Sequence, residues 1–205
     1  MPNYPIKGKY FLAKSKEKLL FDSDVTITEK IDGANTSINK VDNEIKLYRK
    51  LGPIDHSHPQ FSFFQNQWFW ENQNKLNKLP NNLILYGELM RVVHTMKYDK
   101  LPDWWLAFAG YDLKQKQYIS WDELTIICKE AGLYQVPLLY RGIITKNKLD
   151  KLMPIKSKFG PIAEGMTVYN YPNQVFGKYV KAEFVKAVED SPFWRDKEIE
   201  LNKAV

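Results

Sequence analysis

The stretch TEKIDGANTSI, residues 28–38, decides how the fold is interpreted because it places a lysine between two strand-like segments. The β-branched run VTIT before Lys30 is typical of a strand, and TSI predicts a second strand. Asp32-Gly33 is a turn signal between them, so the pattern predicts a β-hairpin with Lys30 at its mouth. A lysine held there by a sheet is a candidate nucleophile.

The rest of the chain mixes strand and helix patterns. Strand candidates are residues 25–29, 35–40, 44–49, 82–87, 105–111, 136–140, 163–169 and 177–184. Helix candidates are residues 61–79, 120–132 and 147–152. The second helix opens with the capping-box pattern SWDE and closes near Gly132. Because strands also occur in adjacent pairs, we expect an α+β fold of antiparallel sheets flanked by helices.

The aromatic run FSFFQNQWFW, residues 61–70, has two interpretations. Its rings could stack on nucleic-acid bases. However, Phe61, Phe64 and Trp68 have the spacing of one buried helix face. We therefore favour core packing over base stacking.

Charge favours a polyanionic partner such as nucleic acid or a nucleotide. The 205 residues include 30 basic and 24 acidic ones, which gives a formal charge of +6 and a pI near 9.1. Arginine is the residue suited to bidentate phosphate contacts, so each arginine is of interest. The chain has four: Arg49, Arg91, Arg141 and Arg195.

Cysteine content and hydropathy limit the classes of protein to which the sequence can belong. Cys128 is the single cysteine, so the chain can form no internal disulfide, and a structural zinc site is not expected. The beginning, MPNYPIKGKYFLAKSK, lacks an apolar stretch of signal-peptide length, and no segment has the apolar length of a membrane span. We expect a soluble, cytoplasmic protein.

Nucleophilic chemistry at a lysine requires a particular environment. A free lysine has a pKa of about 10.4 and is protonated at neutral pH, so burial and neighbouring cations must favour the free amine. An attack on a nucleotide phosphate also needs cations on the phosphate, carboxylates for Mg²⁺ and an aromatic face for the base. The sequence offers candidates on predicted strands: Glu88, Phe108, Tyr111, Glu164, Lys178 and Lys181. Taken individually, such residues are more often solvated or part of the core than part of a site.

Taken in order, these segments resemble the covalent nucleotidyltransferases, the superfamily of ATP-dependent ligases and mRNA capping enzymes. KIDG at 30–33 resembles the nucleophile motif, and Arg49 in KLYRKLG lies where the next motif has an arginine. Four further segments resemble the later motifs of the superfamily, in the same order: YGEL at 86–89, WLAFAGYDL at 105–113, AEGMTVY at 163–169 and GKYVKAEF at 177–184. The EKIDGAN segment resembles phage-type RNA ligases, which carry an asparagine at the position of Asn35. Four further segments resemble small stand-alone RNA ligases: HTMKYDKLPDWW, ISWDEL, VPLLYRG and KYVKAEFVK.

The resemblance implies a nucleotidyltransferase (adenylation) domain with an ATP-grasp-like ligase core. It implies an ATP-dependent RNA ligase in which Lys30 attacks the α-phosphate of ATP and retains AMP as a phosphoramidate. The AMP then passes to a 5′-phosphate RNA end, which is sealed to a 3′-hydroxyl, as in RNA repair. Implied cofactors are ATP and Mg²⁺, with Mn²⁺ as an alternative metal. The implied partners are nicked or single-stranded RNA ends, with DNA or hybrid strands as alternatives.

The resemblance also implies roles for the other site residues. Glu29 would neighbour the adenine, Glu88 would bind the ribose, and Phe108 would stack on adenine with Tyr111 as the alternative. Asn35 and Arg49 would contact the ribose, the phosphate or the RNA 3′ end. Glu164 would serve the metal site. Lys178 and Lys181 would neutralise the α-phosphate and help to depress the pKa of Lys30, and Asp32 and Gly33 would shape the turn.

The sequence departs from the family pattern at three points. Two residues separate Lys178 from Lys181 where many ligases have one; we favour Lys181 as the essential lysine, with Lys178 as the alternative. Tyr48 replaces the usual serine before Arg49. We expect no second domain after the last motif. We therefore expect one domain over residues 1–205, with motifs within 25–190 and no appended oligonucleotide-binding fold.

Two other functions compete with RNA ligation. One is a DNA ligase or capping guanylyltransferase, which Asn35 and the KYVK segment disfavour. The other is a nucleic-acid-binding module without catalysis, which the intact Lys30, Glu88 and Glu164 disfavour. For the HSH loop with His56 and His58, we expect a structural or RNA-contacting role.

Overall fold

The protein, in a computed structural model that describes residues 19–21, 23–50, 52–54, 58–153, 156–189 and 198–205, folds into two compact units. Unit 1 comprises residues 1–32, 95–97 and 136–197, and unit 2 comprises residues 33–94, 98–135 and 198–205. Each unit has its own sheet. No helix in the described part of the chain has the length and apolar character needed to cross a bilayer.

The described strands are, in chain order, β1 (Ser23–Lys30), β2 (Ala34–Val41), β3 (Glu44–Arg49), β4 (Gly52–Pro53), β5 (Leu83–Leu89), β6 (Trp105–Asp112), β7 (Gln117–Tyr118), β8 (Tyr134–Gln135), β9 (Leu138–Ile144), β10 (Gly165–Asn170) and β11 (Val175–Val180). The described helices are α1 (Pro59–Phe63), a π-helical turn (Phe64–Trp68), α2 (Phe69–Glu71), α3 (Gln73–Leu76), α4 (Trp121–Ala131), α5 (Lys146–Leu152) and α6 (Ala182–Glu189).

The sheet of unit 1 is antiparallel and has the order β11-β10-β1-β9. Strand β1 is interior, and its residues Val25 and Ile27 pack in a core with Met166 and Val168. Because side chains alternate along a strand, Thr26, Thr28 and Lys30 lie on the opposite face. Lys30 is therefore the last residue of an interior strand, on the face away from this core.

The sheet of unit 2 has the order β4-β3-β2-β5-β6-β7, with β8 added in parallel to β6. The predicted aromatic helix face is buried: Phe61, Phe64 and Trp68 are 2%, 0% and 1% exposed. Trp68 also packs on Trp105 of β6, with ring centroids 5.8 Å apart. Core packing of this stripe is thus confirmed.

The predicted hairpin around Asp32-Gly33 is wrong. Strand β1 pairs with β9 and β10, whereas β2 pairs with β3 and β5, so the two strands belong to different sheets. Gly33 is needed for close packing within unit 2, since an added Cβ would lie 2.6 Å from the carbonyl oxygen of Leu89. The DG pair marks the point where the chain leaves one sheet for the other, and a local turn signal does not distinguish this from a hairpin.

Several element boundaries also differ from expectation. The predicted strand 177–184 ends at Val180, because the carbonyl of Lys181 accepts a hydrogen bond from Val185 in the first turn of α6. The helix expected over 61–79 begins at Pro59, passes through the π-helical turn and ends at Leu76. The capping box of α4 is confirmed by the reciprocal bonds of Ser120 and Glu123.

Candidate active site

The nucleophile candidate Lys30 is paired with Glu164. The Lys30 Nζ lies 2.7 Å from each of the two Glu164 carboxylate oxygens. The lysine side chain is 20% exposed and the glutamate side chain 5%. The sheet explains the meeting: Lys30 pairs with Gly165 across β1 and β10, and Glu164 immediately precedes that glycine. Two residues 134 positions apart in sequence thereby form a charge-assisted hydrogen bond.

Lys178 shares the sheet face of Lys30. In the register, Thr28 pairs with Thr167, which in turn pairs with Lys178. Residues paired across antiparallel strands point to the same face, so Lys178 and Lys30 project from one surface of the sheet of unit 1. Two strand spacings, about 10 Å across the sheet, and two residue positions along the strand separate Lys178 from Lys30.

Gly165 keeps the strands close beside Lys30. A Cβ at this position would lie 2.1 Å from the carbonyl oxygen of Tyr179, so no other residue fits without moving the strands. The glycine of the AEGMTVY segment is thus explained by the close approach of β10 and β11.

Lys181, the favoured essential lysine, lies just beyond β11. Its backbone N–H donates to the carbonyl of Glu164 at 3.1 Å. Its charge is close enough to the Glu29 carboxyl to lower that group's pKa, although by less than other causes. The strand register thus places Lys178 on the sheet face of Lys30, whereas Lys181 lies one residue beyond the last paired residue of β11, Val180.

Glu29 lies on the other face of β1 from Lys30. Strand alternation puts its side chain with Val25 and Ile27, and it is buried. The Glu29 Oε2 accepts a hydrogen bond from the backbone N–H of Lys158 at 3.0 Å, while its Oε1 is buried without a hydrogen-bond partner among the described residues. Burial raises the pKa of Glu29 above its ordinary value of 4.5, opposed by the hydrogen bond from Lys158. The structure therefore does not bring the Glu29 carboxyl together with the Lys30 amine.

Asp32 holds a loop in unit 1. Its Oδ2 accepts backbone hydrogen bonds from Thr95 at 2.7 Å and from Met96 at 3.1 Å. The carboxylate thus fixes the segment after His94 instead of shaping the predicted hairpin turn.

Glu88 and Asn35 are neighbours in unit 2. They form a cross-strand pair on β5 and β2, so their side chains share a face. The Glu88 Oε1 accepts a hydrogen bond from the Gly33 N–H at 3.1 Å. The glycine of the KIDG segment therefore anchors the carboxylate of the YGEL segment, 55 positions away.

Arg49 lies on the opposite face of the sheet of unit 2 from Asn35 and Glu88. It pairs with Thr36, whose hydroxyl accepts a hydrogen bond from the buried Trp105 indole at 2.9 Å. The register therefore separates Arg49 from Asn35, with which the sequence analysis grouped it.

Phe108 lies at an irregularity of β6. The register shifts between Tyr86 and Gly87, which pair with Ala109 and Ala107, so Phe108 is the extra residue of a β-bulge. Bulges change the direction of side chains and are frequent beside active sites. Tyr111 instead packs edge-on against Tyr118, with ring centroids 5.2 Å apart.

The structure adds buried polar residues that the sequence analysis did not single out. Gln60 accepts a hydrogen bond from the Val92 N–H and approaches His94, with 3.3 Å between the two side-chain nitrogens. Asn202 binds the backbone of the segment after Glu88. Their signal is burial of an amide side chain, which no sequence pattern reveals. His58 caps α1, and His56 lies outside the described residues.

Metal ligands are sparse in the part of the chain that the structure describes. It contains no group of three or more His, Cys, Asp or Glu side chains that could hold a metal ion. A single carboxylate such as Glu164 still fits Mg²⁺, which keeps several waters and binds one or two carboxylates together with substrate phosphates. The free Cys128 is buried in α4, and burial raises the pKa of its thiol to about 12.

The fold is that of solved RNA ligases. The Naegleria gruberi RNA ligase with PPi matches with a TM-score of 0.67 and 18% identity, over 86% of this chain and 55% of that one. A mutant of that ligase with ATP and Mn matches with a TM-score of 0.66 and 15% identity, over 86% and 54%. Another mutant, with AMP and Mn, matches with a TM-score of 0.62 and 16% identity, over 86% and 55%.

The expected α+β nucleotidyltransferase fold is thereby confirmed. The chain spans about half the length of the solved ligases that it matches. Comparison with curated protein sequences found no match. The RNA ligase family profile matches residues 23–184, so the chain belongs to the RNA ligase family.

Proposed function

We propose that this protein is an ATP-dependent RNA ligase that forms a lysyl-AMP intermediate on Lys30. The Lys30 amine attacks the α-phosphorus of ATP and a P–N bond forms. The bond from that phosphorus to the bridging oxygen breaks, pyrophosphate leaves, and the nitrogen loses its proton to solvent. The observation that carries the proposal is the Lys30–Glu164 pair, on the sheet face that also bears Lys178, in a chain of this family.

The Lys30–Glu164 pair opposes nucleophilic attack. A carboxylate at 2.7 Å favours the ammonium form of lysine, which cannot attack. The Lys30 amine must therefore leave Glu164 and lose a proton before reaction. Lys178 is the cation that we assign to the α-phosphate, because a positive charge on the same face opposes the ammonium form and stabilises the charge of the transition state.

Glu164 is the residue that would hold the divalent ion. The solved Naegleria ligases with ATP or AMP contain Mn, and we infer Mg²⁺ or Mn²⁺ for this chain. When bound, the ion would supply positive charge to the triphosphate. The Glu164 carboxylate, which pairs with Lys30 in the structure, would then be a metal ligand when nucleotide is bound.

Unit 2 supplies the nucleoside contacts in this proposal. Glu88, oriented by the Gly33 N–H, would accept hydrogen bonds from ribose hydroxyls. Asn35 lies beside it in the sheet and would contact the ribose, the phosphate or the RNA end. Phe108, at the bulge of β6, would stack on adenine. The position of Glu29 on the core face favours a structural role for its side chain over adenine recognition.

The later steps use the same phosphoryl chemistry. A 5′-phosphate oxygen of RNA attacks the phosphorus of lysyl-AMP and releases the Lys30 amine. A 3′-hydroxyl then attacks that 5′-phosphorus, the new phosphodiester forms and AMP leaves. Both steps need positioning and charge stabilisation more than new functional groups, so the residues of the first step suffice. RNA ends are the substrates that we propose, in a repair role.

The decisive experiment is intact mass spectrometry after incubation with ATP and Mg²⁺. The protein is first treated with pyrophosphate to remove any AMP that it carries. We expect a gain of one AMP with ATP and none with GTP. The gain should disappear in Lys30→Ala and persist in Lys46→Ala, which removes an exposed lysine of β3. No gain in folded wild-type protein would contradict the proposal, and a gain with GTP would favour a capping-type enzyme.

A further inference from the structure

Arg91 has an unusual environment in unit 2, two residues beyond β5. Its guanidinium carbon lies 4.6 Å from the ring centroid of Phe63 and 4.6 Å from that of Trp104. The two rings are 6.2 Å apart and nearly perpendicular, at 86°. The guanidinium therefore occupies the corner between two aromatic rings, and the side chain is partly exposed to solvent.

The backbone of Arg91 is also held. The Asn202 N–H donates to the Arg91 carbonyl at 3.1 Å. The Asn202 side-chain amide donates to the carbonyls of Met90 and Val92, at 2.7 and 3.3 Å. The Val92 N–H in turn donates to the buried Gln60. Both the main chain and the side chain of Arg91 are thus positioned by residues distant in sequence.

This arginine has no anionic partner among the described residues. Within the described part of the chain, no hydrogen bond or ion pair joins the Arg91 guanidinium to another residue. Its side-chain interactions there are the contacts with the rings of Phe63 and Trp104. The carboxylate of Asp103, next to Trp104, is engaged elsewhere: it accepts a hydrogen bond from the Trp68 indole at 2.7 Å and lies 3.9 Å from the Lys75 amine.

A guanidinium held this way is suited to bind a phosphate. The aromatic rings offer no strong hydrogen-bond acceptor, so N–H donors of the guanidinium remain for an anion. Those donors match two phosphate oxygens at once. Because the aromatic corner already orders the side chain, little rotamer entropy remains to be lost on binding.

We propose that Arg91 binds a backbone phosphate of the RNA strand. The inference rests on the proposed function and extends it to strand recognition. The strand is favoured over the nucleotide because the groups proposed to act at the α-phosphate, the Lys30 nucleophile and the Lys178 cation, belong to unit 1. Arg91 is thus a binding residue for the polynucleotide, fixed by Phe63, Trp104 and Asn202.

The test measures binding of a fluorescently labelled, 5′-phosphorylated RNA oligonucleotide at a series of salt concentrations, without ATP. We expect Arg91→Gln to weaken binding by about tenfold and to lower the slope of log affinity against log salt by about 0.7. Arg91→Lys should keep the slope but lose part of the affinity, since an ammonium lacks the planar fork. Lys114→Gln, at an exposed residue of the β6–β7 connection, is the matched charge control and should behave as wild type.

Self-adenylylation of the same variants separates the possible outcomes. We expect Arg91→Gln to form lysyl-AMP at the same ATP concentration as wild type. A higher ATP requirement would overturn the assignment to the strand, and unchanged RNA affinity and salt slope would show that Arg91 only packs. Thermal unfolding shows whether each variant is folded. If Arg91→Gln is unfolded, the RNA affinity of Arg91→Lys tests the proposal in its place. Failure of the wild type to form lysyl-AMP would refute the proposed function, while the RNA-binding comparison would still test Arg91.

Discussion

The two sheets are assembled in different ways. In the sheet of unit 2, most neighbouring strands are also consecutive in sequence, as in the run β5-β6-β7. In the sheet of unit 1, β1 near the beginning pairs with β9 and β10, more than 100 residues later. The Lys30–Glu164 pair depends on this distant pairing. Glu88 and Asn35 also meet across strands that are not consecutive, β2 and β5, but they are 53 positions apart in sequence instead of 134.

From this difference we expect the proposed reaction to be most sensitive to substitutions in unit 1. The proposed catalytic charges, those of Lys30, Glu164 and Lys178, belong to unit 1, so removing one of them should affect the reaction itself. The polar residues of unit 2 are oriented by backbone donors, and removing one should mainly weaken nucleotide binding. The predictions below test this contrast in decreasing order of expected effect.

Replacement of Glu164 should have the largest effect. Glu164→Gln retains the shape of the side chain but removes the charge beside Lys30. It also removes the proposed metal ligand. We expect self-adenylylation to slow by at least about 100-fold, a magnitude typical of losing a main electrostatic group of an active site. The measurement is the rate of AMP incorporation at saturating ATP.

The control for this variant is Glu183→Gln, at an exposed glutamate in the first turn of α6. Equal rates for Glu164→Gln and wild type would show that the pair with Lys30 is unrelated to the reaction.

The two late lysines should differ. Because Lys178 shares the face of Lys30 and Lys181 lies beyond β11, we expect Lys178→Ala to slow AMP incorporation by about 100-fold. We expect a smaller loss in Lys181→Ala, whose backbone bond to Glu164 is unaffected by the substitution. Single-turnover rates compare the two. A larger loss in Lys181→Ala would reverse the assignment drawn from the strand register.

Glu88 tests the contribution of unit 2. In Glu88→Gln the side chain can still accept the Gly33 N–H hydrogen bond but has lost its charge. We expect the ATP concentration for half-maximal rate to rise about tenfold, the effect of one hydrogen bond to a charged group, with a smaller change in maximal rate. A fall in maximal rate as large as that of Glu164→Gln would remove the contrast between the units.

Ionisation of the buried Glu29 carboxyl should lower the stability of the folded protein. Its folded-state pKa is raised above 4.5, so the folded protein binds its proton more strongly than the unfolded chain does. Its contribution to stability is therefore complete below pH 4.5 and is lost as pH rises through the folded pKa. We expect the stability of Glu29→Gln relative to wild type to increase across that range and then level off. Urea unfolding at several pH values measures this, and a pH-independent difference would contradict it.

The Cys128 thiol should be unreactive in the folded protein. Because burial raises the thiol pKa to about 12, almost no thiolate exists near neutral pH. We expect iodoacetamide to leave the folded protein unmodified at pH 8 and to modify it fully in urea. Mass spectrometry counts the adducts. Rapid labelling of the native protein would show that α4 opens readily.

The sequence by itself determined the local features. The Ser120–Glu123 capping box, the buried stripe of Phe61, Phe64 and Trp68, and most strands follow from short-range patterns that the structure confirms. These features depend on hydrogen bonds and burial within a few turns of chain, so nearby residues suffice to specify them. The ordered motifs from KIDG to GKYVKAEF likewise indicated the family that the profile match shows.

Only the tertiary structure decided which residues meet. The hairpin expected after Lys30 does not form, because β1 is instead paired on both edges by strands from the second half of the chain. The same pairing gives Lys30 its partner Glu164, puts Lys178 on its face and turns Glu29 away. Register over such distances depends on which hydrophobic faces pack together, and a shift of one residue would reverse every side chain. No short pattern around residue 30 carries that information.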